Sequence, residues 1–364
     1  MLLTIISTVV VMGILIFVHE LGHFILSKKM GVKVLKFSLG FGPKLIGKKV
    51  GETEYQIAVF PLGGFVKPLG ENPNEEVKAE ERHRSFWAQP VWKRALIISA
   101  GPFFNFFLAT ALFSSVNLIA GIPSAPTVPP RVEEVLPGYP AETAGLKKGD
   151  LILSIKGKDI STWEELQHIV TNSHGKELSL KVKRDGEILE INVTPKPFTE
   201  KSLFGEETRS FKIGVAHAPV NAVYQKVGPF VALGNGFAQT WLVIELTVTG
   251  IVKLIERVIP AKEIGSPIMI AKLAGEQARR GFLSLAIFTA IISINLGVIN
   301  LFPIPILDGG HLFFLVLEAV LRKPVSLRKM EIAQQIGLIF VILLMLFAMR
   351  NDMVRYFYPG GFKF

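Results

Sequence analysis

Met1 to Met30 reads MLLTIISTVVVMGILIFVHELGHFILSKKM, an apolar run that carries His19, Glu20 and His23 inside it. A helix needs ~20 apolar residues to cross ~30 Å of hydrocarbon, and Leu2 to Ser27 supplies them. Ionisable groups at that depth are costly, so three of them together mark a functional site by default. No basic stretch precedes the run and no small-residue cleavage site comes after it, so the segment is expected to stay in place rather than be removed as a signal peptide.

The composition points the same way. With 364 residues, 49% of them hydrophobic and 27 of them Phe, and a mean hydropathy of +0.43, the chain is too apolar for an ordinary soluble domain. Ala95 to Gly121 and Leu283 to Phe302 are further spans, and Ile336 to Met349 becomes a fourth once its flank from Ile332 is included. Val227 to Ile259 is apolar too, but Asn235, Gln239, Glu245, Lys253, Glu256 and Arg257 interrupt it, so amphipathic helices on the membrane surface are expected there.

The formal net charge of +10 comes from Lys and Arg spread over many segments with no nucleic-acid motif among them, which sets a nucleic-acid partner aside. Membrane topology accounts for it better: the basic loops 28–94 and 322–329 belong in the cytoplasm, with both termini and the region from Ile122 to Gly281 outside. Zero Cys removes disulfides, thiolate metal sites and a cysteine nucleophile, so any metal must be held by His, Asp or Glu. The chain is thus expected to have four parts. Residues 1–121 form an N-terminal membrane part with spans 2–27 and 95–121, residues 127–197 a β-rich domain, residues 198–281 an amphipathic outer segment, and residues 282–364 a C-terminal membrane part with spans 283–302 and 332–349.

Pro123 to Pro130 (PSAPTVPP) is a stiff linker. Beyond it, PGYPAETAGLKKGDLILSIKGKDISTWEELQHIV and then ELSLKVKRDGEILEINVTP read as strand, turn, strand, helix and a hairpin turned at Asp185-Gly186. The pattern A-G-L-x-x-G-D-x-I-x-x-I-x-G, Ala144 to Gly157, resembles a bacterial PDZ domain, which implies recognition of extended peptides by strand addition, or gating; a plain spacer is the alternative. In the cytoplasmic loop, Glu52 to Gly70 (ETEYQIAVFPLGGFVKPLG) has strand-like stretches on both sides of Pro61 to Gly64. A β-hairpin lying at the membrane is expected there, with an ordinary cytoplasmic hairpin as the alternative.

His19-Glu20-Leu21-Gly22-His23 is HExxH: the i,i+4 spacing puts both imidazoles on one helix face to hold one Zn2+, with the glutamate in reach of its water. A catalytic zinc site takes three protein ligands and leaves one position open, so a third ligand must come from elsewhere. The stretch SINLGVINLFPIPILDGGHLFF, Ser293 to Phe314, offers two: Pro303 and Pro305 break the helix, and Asp308 and His311 flank a Gly pair able to aim either inward. The residues alone favour neither strongly. Asn295 and Asn300 are polar groups in an apolar span, suited either to holding a substrate backbone or to gluing helices together; Asn105 in the second span carries the same choice, with helix glue favoured.

HExxH in the first span, the PDZ-like domain, N-x-x-P-x-P-x-L-D-G at Asn300 to Gly309, GFGPKL at Gly40 to Leu45 and SAGPFFNFFLA at Ser99 to Ala109 together resemble the site-2 protease family of intramembrane zinc metalloproteases (peptidase family M50), of the bacterial regulator-of-sigma-E type. The resemblance covers nearly the whole chain. It implies an α-helical integral membrane protein of about four transmembrane helices with an inserted PDZ domain and a membrane-associated β-hairpin. It makes Asp308, rather than His311, the third Zn2+ ligand beside His19 and His23, and Glu20 the general base. The implied substrates are single-pass membrane proteins, such as an anti-sigma factor already shortened outside, or remnant signal peptides. The implied setting is lipid of the bacterial inner membrane, with the PDZ domain periplasmic, in regulated intramembrane proteolysis of a stress response. Members of this type often carry two PDZ domains, and only one is legible here. Two other functions fit the residues: a PDZ-bearing adaptor with a structural metal, and a membrane zincin that cuts soluble peptides.

Overall fold

A computed structural model describes residues 1–72, 75–124, 128–201, 205, 207–218 and 223–357. The expected linker at Pro123 to Pro130 lies partly outside them. The chain divides into two compact units, one of Met1–Ala120, Val227–Val252 and Pro260–Phe364, the other of Gly121–Lys226 with Lys253–Ile259. Its elements begin with α1 (Leu2–Lys29), β1 (Val34–Val50), β2 (Thr53–Pro68) and α2 (Val91–Ala120). Next come β3 (Ile122–Ser124), β4 (Glu134–Val135), α3 (Pro140–Thr143), β5 (Leu151–Ile155), β6 (Lys158–Asp159), α4 (Trp163–Thr171), β7 (Leu178–Arg184) and β8 (Glu187–Val193). After these stand β9 (Lys196–Lys201), β10 (Glu207–Lys212), β11 (Val215–Ala216) and β12 (Val223–Gln225). The chain closes with α5 (Pro229–Ile255), α6 (Pro267–Arg280), α7 (Phe282–Asn300), α8 (Asp308–Leu321) and α9 (Leu327–Phe357).

Among the described residues, five helices are long and apolar enough to cross a membrane: α1, α2, α5, α7 and α9. Four of them answer to the expected spans, and the fifth, α5, is one continuous helix of 27 residues where several amphipathic surface helices were expected at 227–259. Of the residues that interrupt the apolar run, Gln239 accepts from Asn117 of α2 at 3.3 Å, and two threonines on the same helix are paired as well: Thr240 bonds Thr110 at 3.0 Å, and Thr247 donates to Asn295 at 2.7 Å. Paired in this way, polar groups are tolerable at membrane depth, which a count of interruptions along one segment cannot reveal.

In the first unit α2 packs against α1 and α7. Ala109 and Phe113 meet Ala290, Ile294 and Val298, while Val11 and Leu15 of α1 meet Ala274 of α6 and Phe288 of α7. The buried stripe of α1 runs Ser7, Val11, Leu15, His19, Gly22, so the helical period places the first motif histidine on the face turned to the bundle. After α7 the chain passes through Pro303 and Pro305, and α8 opens at Asp308.

The β region is larger than the expected hairpin, and its turn lies elsewhere. Val50 pairs with Thr53 around Gly51-Glu52, where Gly51 has φ +61°, while residues 61–64 lie inside β2. Val34 to Phe41 runs antiparallel to Phe60–Pro68, and Lys44 to Val50 antiparallel to Thr53–Ala58. Lys36 to Leu39 also pair with Glu54 to Ile57 in ascending order on both sides, so the two long strands lie as four rows with 64–68 on the outside. Gly40, Gly42, Pro43 and Gly47 break the alternation of β1 and hid it from sequence reasoning.

In the second unit a four-stranded sheet, β6-β5-β7-β8, is covered by α4, whose start is capped reciprocally by Thr162 and Glu165. The expected hairpin turn forms at Asp185-Gly186, both residues at positive φ. The unit runs past its expected end at Pro197: β9 pairs with β10, β11 pairs with β4, and Ile213 joins Val132, Ile152, Leu166, Leu180 and Val182 in the core. The first part of 198–281 is therefore folded β structure rather than an amphipathic segment.

Candidate metal centre

The i,i+4 spacing on α1 brings His19 Nε2 and His23 Nε2 within 3.2 Å of each other. The start of α8 adds Asp308, whose Oδ2 lies 3.1 Å from His19 Nε2 and 3.6 Å from His23 Nε2. One ligand atom from each of the three falls within 4.8 Å of the others. Four residues along α2 complete the surroundings. Ala100 touches α1 so closely that a Cβ on Gly22 would fall 2.5 Å from its carbonyl oxygen. Ile97 O lies 2.9 Å from His23 Nδ1, and Asn105 Nδ2 lies 3.1 Å from His19 Nδ1. Gly101 leaves open a space that a Cβ would fill, 2.3 Å from His23 Nε2 and 2.7 Å from His19 Nε2.

These residues suit a divalent cation. Two imidazole nitrogens converge on a carboxylate oxygen that is buried without a hydrogen-bond partner among the described residues, and a glycine hollow opens beside them. A donor set of two nitrogens and one oxygen, with a glutamate next in sequence, is that of a catalytic zinc site with one position left open. Each histidine also has a neighbour on its other ring nitrogen, the arrangement that orients metal ligands.

Glu20 faces the same space. The Val66 backbone amide meets its carboxylate, and a Cβ on Gly64 would lie 3.0 Å from its Cγ. A cavity of about 910 Å3 holds the cluster, Glu20 and His311, and the outer row Phe65 to Pro68 forms part of its wall. No strand pairs with the far side of that row among the described residues. α8 is tied to α2 by a two-point ion pair, Arg94 to Glu318 at 3.1 and 2.5 Å, with Arg94 4% exposed.

Of the residues singled out from sequence, the structure brings together His19, Glu20, His23 and Asp308. His311 lines the cavity but stands outside the three-residue cluster. Neither Asn295 nor Asn300 lines it: Asn295 accepts from Thr247 between two helices, and Asn300 ends α7. Sequence reasoning passed over Gly101 and Arg94 and favoured helix glue for Asn105. The available signal was the spacing Ile97, Gly101, Asn105, one face of one helix.

The profile of peptidase family M50 matches residues 7–344. The chain belongs to peptidase family M50. Its M50 relatives include a Rhizobium meliloti protein named as a zinc metalloprotease, 34% identical over 352 residues and 93% of each chain. The regulator of sigma-W protease RasP of Bacillus subtilis is 30% identical over 430 aligned positions, 97% of this chain and 99% of the relative. The regulator of sigma-E protease RseP of Escherichia coli is 32% identical over 446, covering 96% and 98%. This M50 chain is accordingly a zinc metalloprotease of the site-2 type, built on apolar helices suited to a membrane.

Proposed function

We propose that the protein hydrolyses peptide bonds within or beside the transmembrane segments of single-pass proteins, with His19, His23 and Asp308 holding Zn2+ and Glu20 as general base. The observation that carries this reading is the position of the cluster: it lies on an apolar helix, in a cavity walled by the unpaired row of a β-sheet. Bound there, zinc supplies Lewis-acid polarisation of a carbonyl and a more acidic water. Glu20 takes a proton from the attacking water and returns it to the departing amine, so that hydroxyl ends on the carbonyl carbon and hydrogen on nitrogen. Arg94 and Glu318 hold α8, and with it Asp308, against α2.

A transmembrane helix hides its carbonyls in internal hydrogen bonds, so it must be extended before it is cut. The row Phe65 to Pro68 offers backbone groups to replace those bonds, next to Glu20. Exposed Leu45, Ile46, Ile57 and Phe60 suit the sheet to lipid contact. We read the second unit as the PDZ domain, on the periplasmic side of a bacterial inner membrane, admitting substrates already shortened outside. An anti-sigma factor is the leading candidate and remnant signal peptides the second. A structural metal would not need Glu20 and a cavity beside it, and a zincin for soluble peptides would not need its cluster on a spanning helix.

The test is cleavage of a truncated single-pass substrate by the purified chain and its Glu20→Gln variant. Zinc retained by both with cleavage lost in the variant is the expected result. Cleavage by both ends the proposal, and faster cutting of a soluble peptide than of the membrane substrate favours the conventional zincin.

A further inference from the structure

We infer that Asn105 is a positioning residue: its side-chain carbonyl oxygen accepts a hydrogen bond from His19 Nδ1, holding that imidazole in the tautomer that turns the Nε2 lone pair to zinc. The inference rests on the zinc reading above and adds to it a residue from another helix.

The tautomers are set by their neighbours. His23 Nδ1 lies 2.9 Å from the Ile97 carbonyl oxygen, which can only accept, so that nitrogen carries the proton and Nε2 is left bare. His19 Nε2 faces the same point, 3.2 Å from His23 Nε2, and must be bare as well to share a cation with it. A neutral imidazole then carries its proton on Nδ1, and the partner of that nitrogen has to be an acceptor. The group in reach is the Asn105 carboxamide, fully buried, with its NH2 end 3.1 Å from His19 Nδ1 and its oxygen without a partner among the described residues. Two donors face each other there while an acceptor lies idle. The two ends of a carboxamide have nearly the same shape, so a half-turn puts the oxygen against His19 without disturbing the packing.

Helix glue, the other role for a buried asparagine, is already filled by its backbone. Ser293 Oγ of α7 donates to the Asn105 main-chain oxygen at 2.8 Å, a bond that survives any change of side chain. Along one face of α2 the two histidines thus receive matching support about two helical turns apart: a main-chain carbonyl at Ile97 for His23 and a side-chain carbonyl at Asn105 for His19.

The test measures zinc affinity of the full-length protein by competition with a chelator, and melting of the metal-free protein in detergent. Asn105→Leu should bind zinc about 10- to 100-fold more weakly, whereas Asn105→Asp, which keeps an acceptor at the same reach, should stay near the unmodified protein. Asn105→Ala, which leaves the Ser293 bond in place, gives the same comparison should the leucine variant fail to fold. Unchanged zinc affinity in Asn105→Ala with a lower metal-free melting temperature would show a packing role and overturn the inference, as would equal weakening by Asp and Ala. Failure of the zinc reading looks different: the unmodified protein and His23→Ala would then bind zinc equally poorly.

Discussion

Substituting Gly101 by alanine puts the cluster geometry to its most direct test. The new Cβ would lie 2.3 Å from His23 Nε2 and 2.7 Å from both Nε2 and Cε1 of His19. Non-bonded heavy atoms rest about 3.5 Å apart, so both rings must retreat by roughly 1 Å. That displacement breaks the contacts of His23 with Ile97 O at 2.9 Å and of His19 with Asn105 at 3.1 Å. Loss of one such supporting contact weakens metal binding by roughly 10- to 100-fold. Losing both gives roughly 10²- to 10⁴-fold, about 2.7 to 5.5 kcal/mol. Stability of the metal-free fold also falls, because overpacking costs about 1–3 kcal/mol and outweighs the roughly 0.5–1 kcal/mol by which alanine is favoured over glycine in a helix interior. Chelator competition and metal-free melting curves should therefore show strongly weakened zinc, lost cleavage and a modestly lower melting temperature. Zinc held as tightly as by the unmodified protein, with cleavage intact, would refute the placement of the cation beside Gly101.

Arg94→Leu leaves the partly buried Glu318 carboxylate without its partner and should cost about 1–3 kcal/mol in thermal or denaturant melts; zinc affinity should fall with it, since α8 carries Asp308. In the second unit burial opposes the charge of Asp150, but Arg184 and the Lys147 amide hold its carboxyl below the usual range. A carboxylate depressed in this way stabilises the fold above its unfolded value of about 3.9, and that contribution disappears as pH falls through the lower folded value. Trp163 fluorescence should report acid unfolding of the unit below about pH 4, with a weaker pH dependence in Asp150→Asn. For orientation, Lys78→Cys and Ser161→Cys placed singly in this Cys-free chain should be respectively shielded from and open to an impermeant thiol reagent applied outside spheroplasts; the reverse pattern overturns the assigned sides.

Local periodicity made part of this molecule legible. Two histidines four apart share a helix face wherever the helix sits, a long apolar run is a candidate span by length alone, and Asp185-Gly186 between alternating strands turns a hairpin without outside help. The helix break that sets Asp308 at the start of α8 was visible in Pro303 and Pro305 for the same reason. Everything that depended on a partner distant in the chain needed the folded protein. Asn117 answers Gln239, and Thr110 and Asn295 answer Thr240 and Thr247, along one continuous helix where the sequence looked interrupted. Val215 and Ala216 close the β-rich unit by pairing with residues 134–135, beyond the end that hydropathy suggested. Gly101 is a hollow only because α1 lies against it, and Asn105 differs from an ordinary buried asparagine only because His19 is its neighbour. A side chain's spacing is fixed by its own helix, but its chemistry is set by whatever packing brings within about 3 Å of it.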